Sequence, residues 1–351
     1  MANSTRSYFR RLAEGYEDGP LSKVFAPLLE IAGGAYGCGV GTLRALYEKK
    51  ILKSARLPFP VISVGNLTWG GTGKTPFVEY LARRIGETGK TALILTRGYS
   101  HDEVEQMRAH LPKAVLGVGA NRTSVAREIS AKQKMDVAIL DDGLQHWPLH
   151  RDMEIILVNA LNPFGNYKLI PRGILREPLL VLRKASIVVI SHANLVPPKQ
   201  LSELKTELRK VAPNAPMVES YLDPLFFYRA QKKARVPLAK LENQRVTTFS
   251  GVGVPRSFQL LLTRHHIRPI RNFEFMDHHV FSKQELQEIK AVSDSASATE
   301  IITTEKDFYR APEMISEVIN PLVLAAKLRI SSGEDILNRK IFELTGGSNS
   351  K

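Results

Sequence analysis

Cysteine is nearly missing from this chain: Cys38 is the single one in 351 residues. That excludes an intramolecular disulfide and any metal cage built from thiolates, and nothing marks a secreted, oxidised fold. No apolar run is long enough for a clean membrane-spanning helix. The nearest, 25–46, is interrupted by Glu30, Arg44 and the glycines Gly33, Gly34, Gly37, Gly39 and Gly41. It reads as an amphipathic or interfacial helix, with a core helix as the plainer alternative. Acidic residues are scarce, 35 against 49 Lys and Arg, which leaves a formal charge of +14. Such an excess suits nucleic acid, an anionic membrane or a phosphorylated substrate, or is simply solvated surface charge. The basic residues are scattered, with no zinc-finger spacing and no aromatic-basic RNA signature, so nucleic acid is the weakest of these partners. Arg6, Arg10 and Arg11 near the start, without acids among them, faintly resemble an organellar transit peptide.

A strand-like run, 59–64, feeds the glycine-rich turn Gly65-Asn66-Leu67-Thr68-Trp69-Gly70-Gly71-Thr72-Gly73-Lys74-Thr75, and a helical pattern follows over 77–85. Strand, glycine turn and helix make a nucleotide phosphate cradle, because glycines let backbone N–H groups approach phosphate oxygens at a helix N-terminus. Gly70, Gly71, Thr72 and Gly73 line the turn, Lys74 reaches the β/γ-phosphates, and Thr75 holds Mg²⁺. Thr68 stands where the strict pattern has its first glycine, so the motif is a variant. An ordinary strand-turn-helix loop is the plainer alternative.

Strands and helices then alternate. Strand-like runs lie at 91–96, 114–118, 137–140, 154–158, 187–190, 217–222, 246–250 and 301–304; helical ones lie at 102–110, 122–132, 200–210 and 258–265. That order implies an α/β fold with a parallel sheet covered on both faces. The expected division is an N-terminal amphipathic segment 1–50, a P-loop lobe 51–195, a second, smaller α/β lobe 196–345, and a frayed tail 346–351. Polar clusters follow the strands, where doubly wound sheets bind ligands.

Asp141-Asp142 closes one apolar strand, where a P-loop protein holds Mg²⁺; a strand-end turn is the structural alternative. Asp102 and Glu103 open a helix and offer a carboxylate base, or merely favour the helix dipole. His278 and His279 follow Asp277, and by spacing alone a structural role outweighs a catalytic one. Lys306, between Glu305 and Asp307, is a phosphate contact or an ion pair. Arg172 and Arg176 offer grips for an acceptor phosphate, with Glu177 as a competing partner.

Jointly, the stretch 64–76, Thr96-Arg97-Gly98-Tyr99, 141–146 (Asp-Asp-Gly-Leu-Gln-His), Leu175-Arg176-Glu177-Pro178, Asp277-His278-His279 and 303–307 resemble the tetraacyldisaccharide 4′-kinases, the lipid A kinases, in a plant-like version. The resemblance spans about 20–340. It implies two α/β lobes, an N-terminal helix on the membrane, and ATP-dependent phosphorylation of the 4′-hydroxyl of an acylated disaccharide 1-phosphate lipid. It implies Lys74 as a catalytic phosphate contact and Thr75, Asp141, Asp142 and Gln145 around metal and nucleotide. Asp102 is then the base, with Glu103 its competitor, and His278 its partner; Arg176 and Glu177 match site positions without an assigned role. A mitochondrial membrane or the cytoplasmic face of a bacterial inner membrane is the implied setting, with no obligate protein partner. The rival reading is a regulatory P-loop ATPase acting on a protein. A cytosolic small-molecule kinase, a third reading, would be indifferent to deletion of 1–50.

Overall fold

The computed structural model describes residues 12–15, 20–98 and 101–346. The expectations placed on Arg6, Arg10, Arg11, Tyr99 and the tail 347–351 lie outside them. The chain divides into two compact units. The first takes in the described residues up to 97, then 113–220 and those from 330 onward; the second is 98–112 with 221–329.

In chain order the helices are α1 (Pro20–Glu48), α2 (Lys74–Glu87), α3 (His101–His110), α4 (Arg122–Lys132), α5 (Pro198–Val211), α6 (Pro255–Arg264), α7 (Lys283–Ser295), α8 (Glu305–Phe308), α9 (Pro312–Val318) and α10 (Glu334–Leu344). The strands are β1 (Val61–Asn66), β2 (Ala92–Thr96), β3 (Val115–Val118), β4 (Val137–Asp141), β5 (Met153–Asn159), β6 (Ile187–Ser191), β7 (Met217–Arg229), β8 (Arg235–Val236), β9 (Val246–Ser250), β10 (Pro269–Glu274), β11 (Glu300–Thr304) and β12 (Leu322–Ser332).

The first unit is built on strands in the order β6-β5-β1-β4-β2-β3, every neighbouring pair parallel. β1, β2, β4 and β6 are buried along their whole length, as expected of parallel strands covered on both faces. α2 explains its own packing: Phe77, Val78, Leu81, Ala82 and Ile85 recur at helical spacing and are all buried. Asn121 starts α4 by accepting the Ser124 N–H at 3.1 Å. α10 returns to this unit, where the Tyr80 hydroxyl donates to Glu334 Oε1 at 2.7 Å.

The second unit repeats the parallel style, with β10-β9-β11-β12 in order. One core joins Phe227, Val246, Phe258 and Ile302; another joins Tyr228, Phe249, Phe281 and Phe308. α7 begins with a reciprocal Ser282–Glu285 capping box.

Among the boundaries that differ from expectation, one bears on the site. β1 does not stop at Val64 but runs through Gly65 and Asn66, which pair with Ile156 and Leu157 of β5. Ladder hydrogen bonds come from the backbone, so a glycine and an asparagine extend the strand without an apolar side chain. Gly65 must be glycine: a Cβ there would lie 2.5 Å from Leu144 Cβ. The 25–46 stretch is helical within α1. No described helix is long and apolar enough to cross a membrane.

Candidate functional site

The glycine turn leaves the carboxyl end of β1, the strand between β4 and β5. Gly70 and Gly73 have φ of 91° and 79°, the left-handed region that glycine enters without strain. Gly73 sits at the N-cap of α2, so Lys74 and Thr75 occupy its first turn. The Thr72 hydroxyl is buried and has no hydrogen-bond partner among the described residues. Asn159, at the end of β5, donates from Nδ2 to the Gly71 carbonyl at 3.4 Å. At the end of β6, a Cβ on Gly73 would meet Ser191 Cβ at 3.7 Å and the His192 ring at 3.9 Å. The turn is thus gripped by the ends of two neighbouring strands.

Lys74 does not stand alone. Its Nζ donates to Asn66 Oδ1 at 2.9 Å and lies 3.5 Å from Asp142 Oδ1. Arg176 reaches the same two partners: it bonds both Asp142 oxygens and donates from Nη2 to Asn66 Oδ1 and to the Asn66 carbonyl at 3.1 Å. Burial by itself would raise the Asp142 carboxyl, but Lys74 and Arg176 outweigh it and hold it well below the ordinary carboxylate range. Asp142 has a φ of 50°, uncommon for a residue with a side chain. The turn is fixed around it: Gly143 N–H donates to the Val64 carbonyl at 3.1 Å, and Arg151 Nη1 donates to the Gly143 carbonyl at 3.0 Å. Asp141 ends β4 beside Val64 and accepts from Thr96 Oγ1 at 3.5 Å.

Both amide atoms of Gln145 are buried and have no hydrogen-bond partner among the described residues. His146 next to it is driven down to about 4 by burial and by Arg122, Arg151 and Arg97. It therefore stays neutral at physiological pH. Among the described residues no group of three or more His, Cys, Asp or Glu side chains gathers as a metal site. Asp141, Asp142 and Thr75 offer oxygen donors only, a set that suits Mg²⁺, which needs one or two carboxylates and keeps waters.

The Leu175-Arg176-Glu177-Pro178 segment is held against the turn from two directions. Arg176 N–H donates to the Leu67 carbonyl at 2.6 Å, and Trp69 N–H donates to Ile174 at 2.9 Å. From α1, the Tyr36 hydroxyl donates to the Arg176 carbonyl at 3.0 Å, and Arg44 pairs with the fully buried Glu177. The Arg172 carbonyl accepts from Asn166 Nδ2 at 2.9 Å within the same loop.

In the second unit, Asp102 lies on α3 and is 5% exposed. Its Oδ2 lies 3.7 Å from His278 Nδ1 and accepts from Arg310 Nε at 2.9 Å. Burial would raise this carboxyl; His278 and Arg310 beside it outweigh that and hold it far below its ordinary value. Glu103 is engaged elsewhere, 3.0 Å from Lys306 Nζ. The same Nζ donates to Asp277 Oδ1 at 3.0 Å, so Lys306 is a bridge between two carboxylates. His279 is structural: its ring stacks on Phe275 at 4.6 Å and its Nε2 lies 3.0 Å from Glu285.

Three partners were missed in the sequence. Asn66 falls in the glycine-rich turn by sequence, yet it is the strand end that meets Lys74. Asn159 ends an apolar strand, a position that itself was a signal. Arg310 follows the 303–307 stretch and gave no signal, because its partner Asp102 is 208 positions away.

Residues 25–344 match the family model described as Tetraacyldisaccharide-1-P 4′-kinase. A protein of Arabidopsis thaliana named "Probable tetraacyldisaccharide 4′-kinase, mitochondrial" is 35% identical over 350 residues, covering 89% of this chain and 88% of that protein. The "Tetraacyldisaccharide 4′-kinase" of Halothermothrix orenii is 32% identical over 374 residues, covering 96% and 97%. The crystal structure of the "apo" form of LpxK from Aquifex aeolicus in complex with ATP matches with a TM-score of 0.68 and 27% identity, covering 93% of this chain and 99% of that one.

Proposed function

The chain belongs to the tetraacyldisaccharide-1-P 4′-kinase family, and from that premise we propose that it uses ATP to phosphorylate the 4′-hydroxyl of an acylated glucosamine disaccharide 1-phosphate. One observation carries the chemistry: Lys74, Asn66, Asp142 and Arg176 converge at the mouth of the glycine turn. Two cations and one carboxylate there suit a polyphosphate with its metal.

The turn 70–75 binds the triphosphate through backbone N–H groups, with Lys74 at the transferred phosphoryl group. Thr75, Asp141 and Asp142 would hold Mg²⁺, and Gln145 would contact the nucleotide. Bound there, the ion would neutralise phosphate charge. Phosphoryl transfer asks little covalent work of the protein, so position and charge dominate. Arg176, tied to Asp142, adds a second cation beside Lys74 for the phosphates. Asp102 accepts the hydroxyl proton, and His278 beside it shares the charge.

We place the enzyme at a membrane surface. Phe25, Leu28, Ile31 and Leu43 of α1 are exposed apolar side chains, and the chain carries a formal charge of +14. Exposed apolar side chains on a helix of a net-positive chain suit an anionic bilayer.

The test supplies Mg-ATP and a 1-phosphorylated acylated disaccharide in mixed micelles and measures phosphate gained by the lipid. Transfer that disappears in Lys74→Ala supports this function. Lipid-independent ATP hydrolysis stimulated by a protein would replace it with the regulatory ATPase reading.

A further inference from the structure

Arg310 is 4% exposed and lies within the second unit, yet every nitrogen of its guanidinium has an acceptor. Nε donates to Asp102 Oδ2 at 2.9 Å. Nη1 donates to Asp307 Oδ1 at 2.7 Å and to the His279 carbonyl at 3.4 Å. Nη2 donates to the Gly251 carbonyl at 2.8 Å. We propose that Arg310 is the positioning residue for Asp102, fixing both the direction and the charge of that carboxylate for the acceptor hydroxyl. This rests on reading Asp102 as the proton acceptor.

The fork is anchored at its far end. Asp307 is fully buried and accepts the Gly251 N–H at 2.9 Å and the Thr304 hydroxyl at 2.6 Å. Thr304 in turn caps α8 through the Asp307 N–H at 3.1 Å. The Gly251 N–H and the Thr304 hydroxyl thereby fix Asp307, Asp307 fixes Nη1, and the planar guanidinium carries that direction to Nε. A lysine, with a point charge on a flexible stem, cannot transmit it. No substituent fits at Gly251, where a Cβ would lie 2.6 Å from Arg310 Nη1 and 2.8 Å from the Met276 carbonyl.

The consequence falls on one oxygen. Arg310 and His278 both address Oδ2 of Asp102, so the hydroxyl is assigned to Oδ1. The charged groups around Asp102 are Arg310, His278 and Lys306 on one side and Glu103, Asp277 and Asp307 on the other. Removing Arg310 leaves burial less opposed, so Asp102 would hold its proton to higher pH.

The experiment uses the full chain with Arg310→Gln and Arg310→Lys. Two readouts are taken: the pH profile of kcat, and the titration of the Asp102 carboxyl by NMR of ¹³C-labelled protein, assigned with Asp102→Asn. In Arg310→Gln, we expect kcat to fall at least about tenfold with KM for ATP nearly unchanged. The acid limb and the Asp102 titration both move to higher pH. Arg310→Lys keeps the charge and loses the fork, so the acid limb stays near wild type while kcat still falls; this variant serves if Arg310→Gln does not fold. A lower melting temperature with both titrations unmoved would overturn the proposal, as would full kcat in Arg310→Lys. A raised Asp102 titration that the kcat profile ignores upholds the hold of Arg310 and overturns the assignment of Asp102 as proton acceptor.

Discussion

Arg176 lies across both carboxylate oxygens of Asp142, Nη1 on Oδ2 at 3.1 Å and Nη2 on Oδ1 at 2.9 Å. A two-point contact fixes the plane of the carboxylate as well as its charge. Arg176→Ala is therefore expected to lower kcat/KM by about tenfold or more, and Arg176→Lys to recover only part of that. Steady-state kinetics of the two purified variants check this; equal rates for Lys and Arg would show that charge alone matters.

Lys74 shares Asn66 and Asp142 with Arg176, yet it alone begins the helix after the glycine turn. Lys74→Ala should cut turnover by about a hundredfold or more while the thermal transition stays near wild type. Calorimetric titration with Mg-ATP would separate lost binding from lost catalysis. Undiminished turnover in this variant would remove Lys74 from the chemistry.

Stability should fall in acid. Asp142, Asp102 and Asp277 all sit below their ordinary value, each because neighbouring cations overcome burial. Below about pH 4 the unfolded chain binds protons that these folded carboxylates refuse. Their contribution is thus complete above that pH and is lost as pH falls through the folded values. Glu154 and Asp307 run the other way, raised by burial, so their contribution is lost as pH rises through their folded values. Asp142→Asn isolates the first effect: its urea midpoint should drop less than wild type between about pH 5 and about pH 3. Identical drops would contradict the assignment.

The C-terminal helix α10 is fastened to the helix of the glycine turn by the 2.7 Å bond from Tyr80 to Glu334. Tyr80→Phe should cost about 1 kcal/mol, seen as a fall of a few degrees in Tm. A double-mutant cycle with Glu334→Gln should show that the two losses are not additive. Additive losses would mean that the bond contributes nothing of its own.

The glycine turn and the acids after β4 were legible because their chemistry is written in consecutive residues: Gly70 to Thr75 and Asp141-Asp142. The parallel sheet was legible because doubly covered strands read as unbroken apolar runs. What joins these pieces was not. Arg176 on Asp142, Asn66 on Lys74 and Arg310 on Asp102 are contacts set by the fold, and nothing in local spacing encodes them. Glu103 and Asp102 look equivalent as neighbours in a sequence. They separate only once Lys306 is seen to engage one and Arg310 the other.

α1 has its own bearing on how this enzyme is handled. Its Tyr36 hydroxyl and Arg44 guanidinium grip the segment that carries Arg176 and Glu177. A chain trimmed of its first fifty or so residues, as one might make to ease purification, would lose more than any hold on lipid. It would also loosen the arginine that faces the nucleotide loop. Inactivity of such a shortened protein therefore says little about bilayers, and single changes at the outward Leu28 and Ile31, which leave Tyr36 and Arg44 in place, are the cleaner probe.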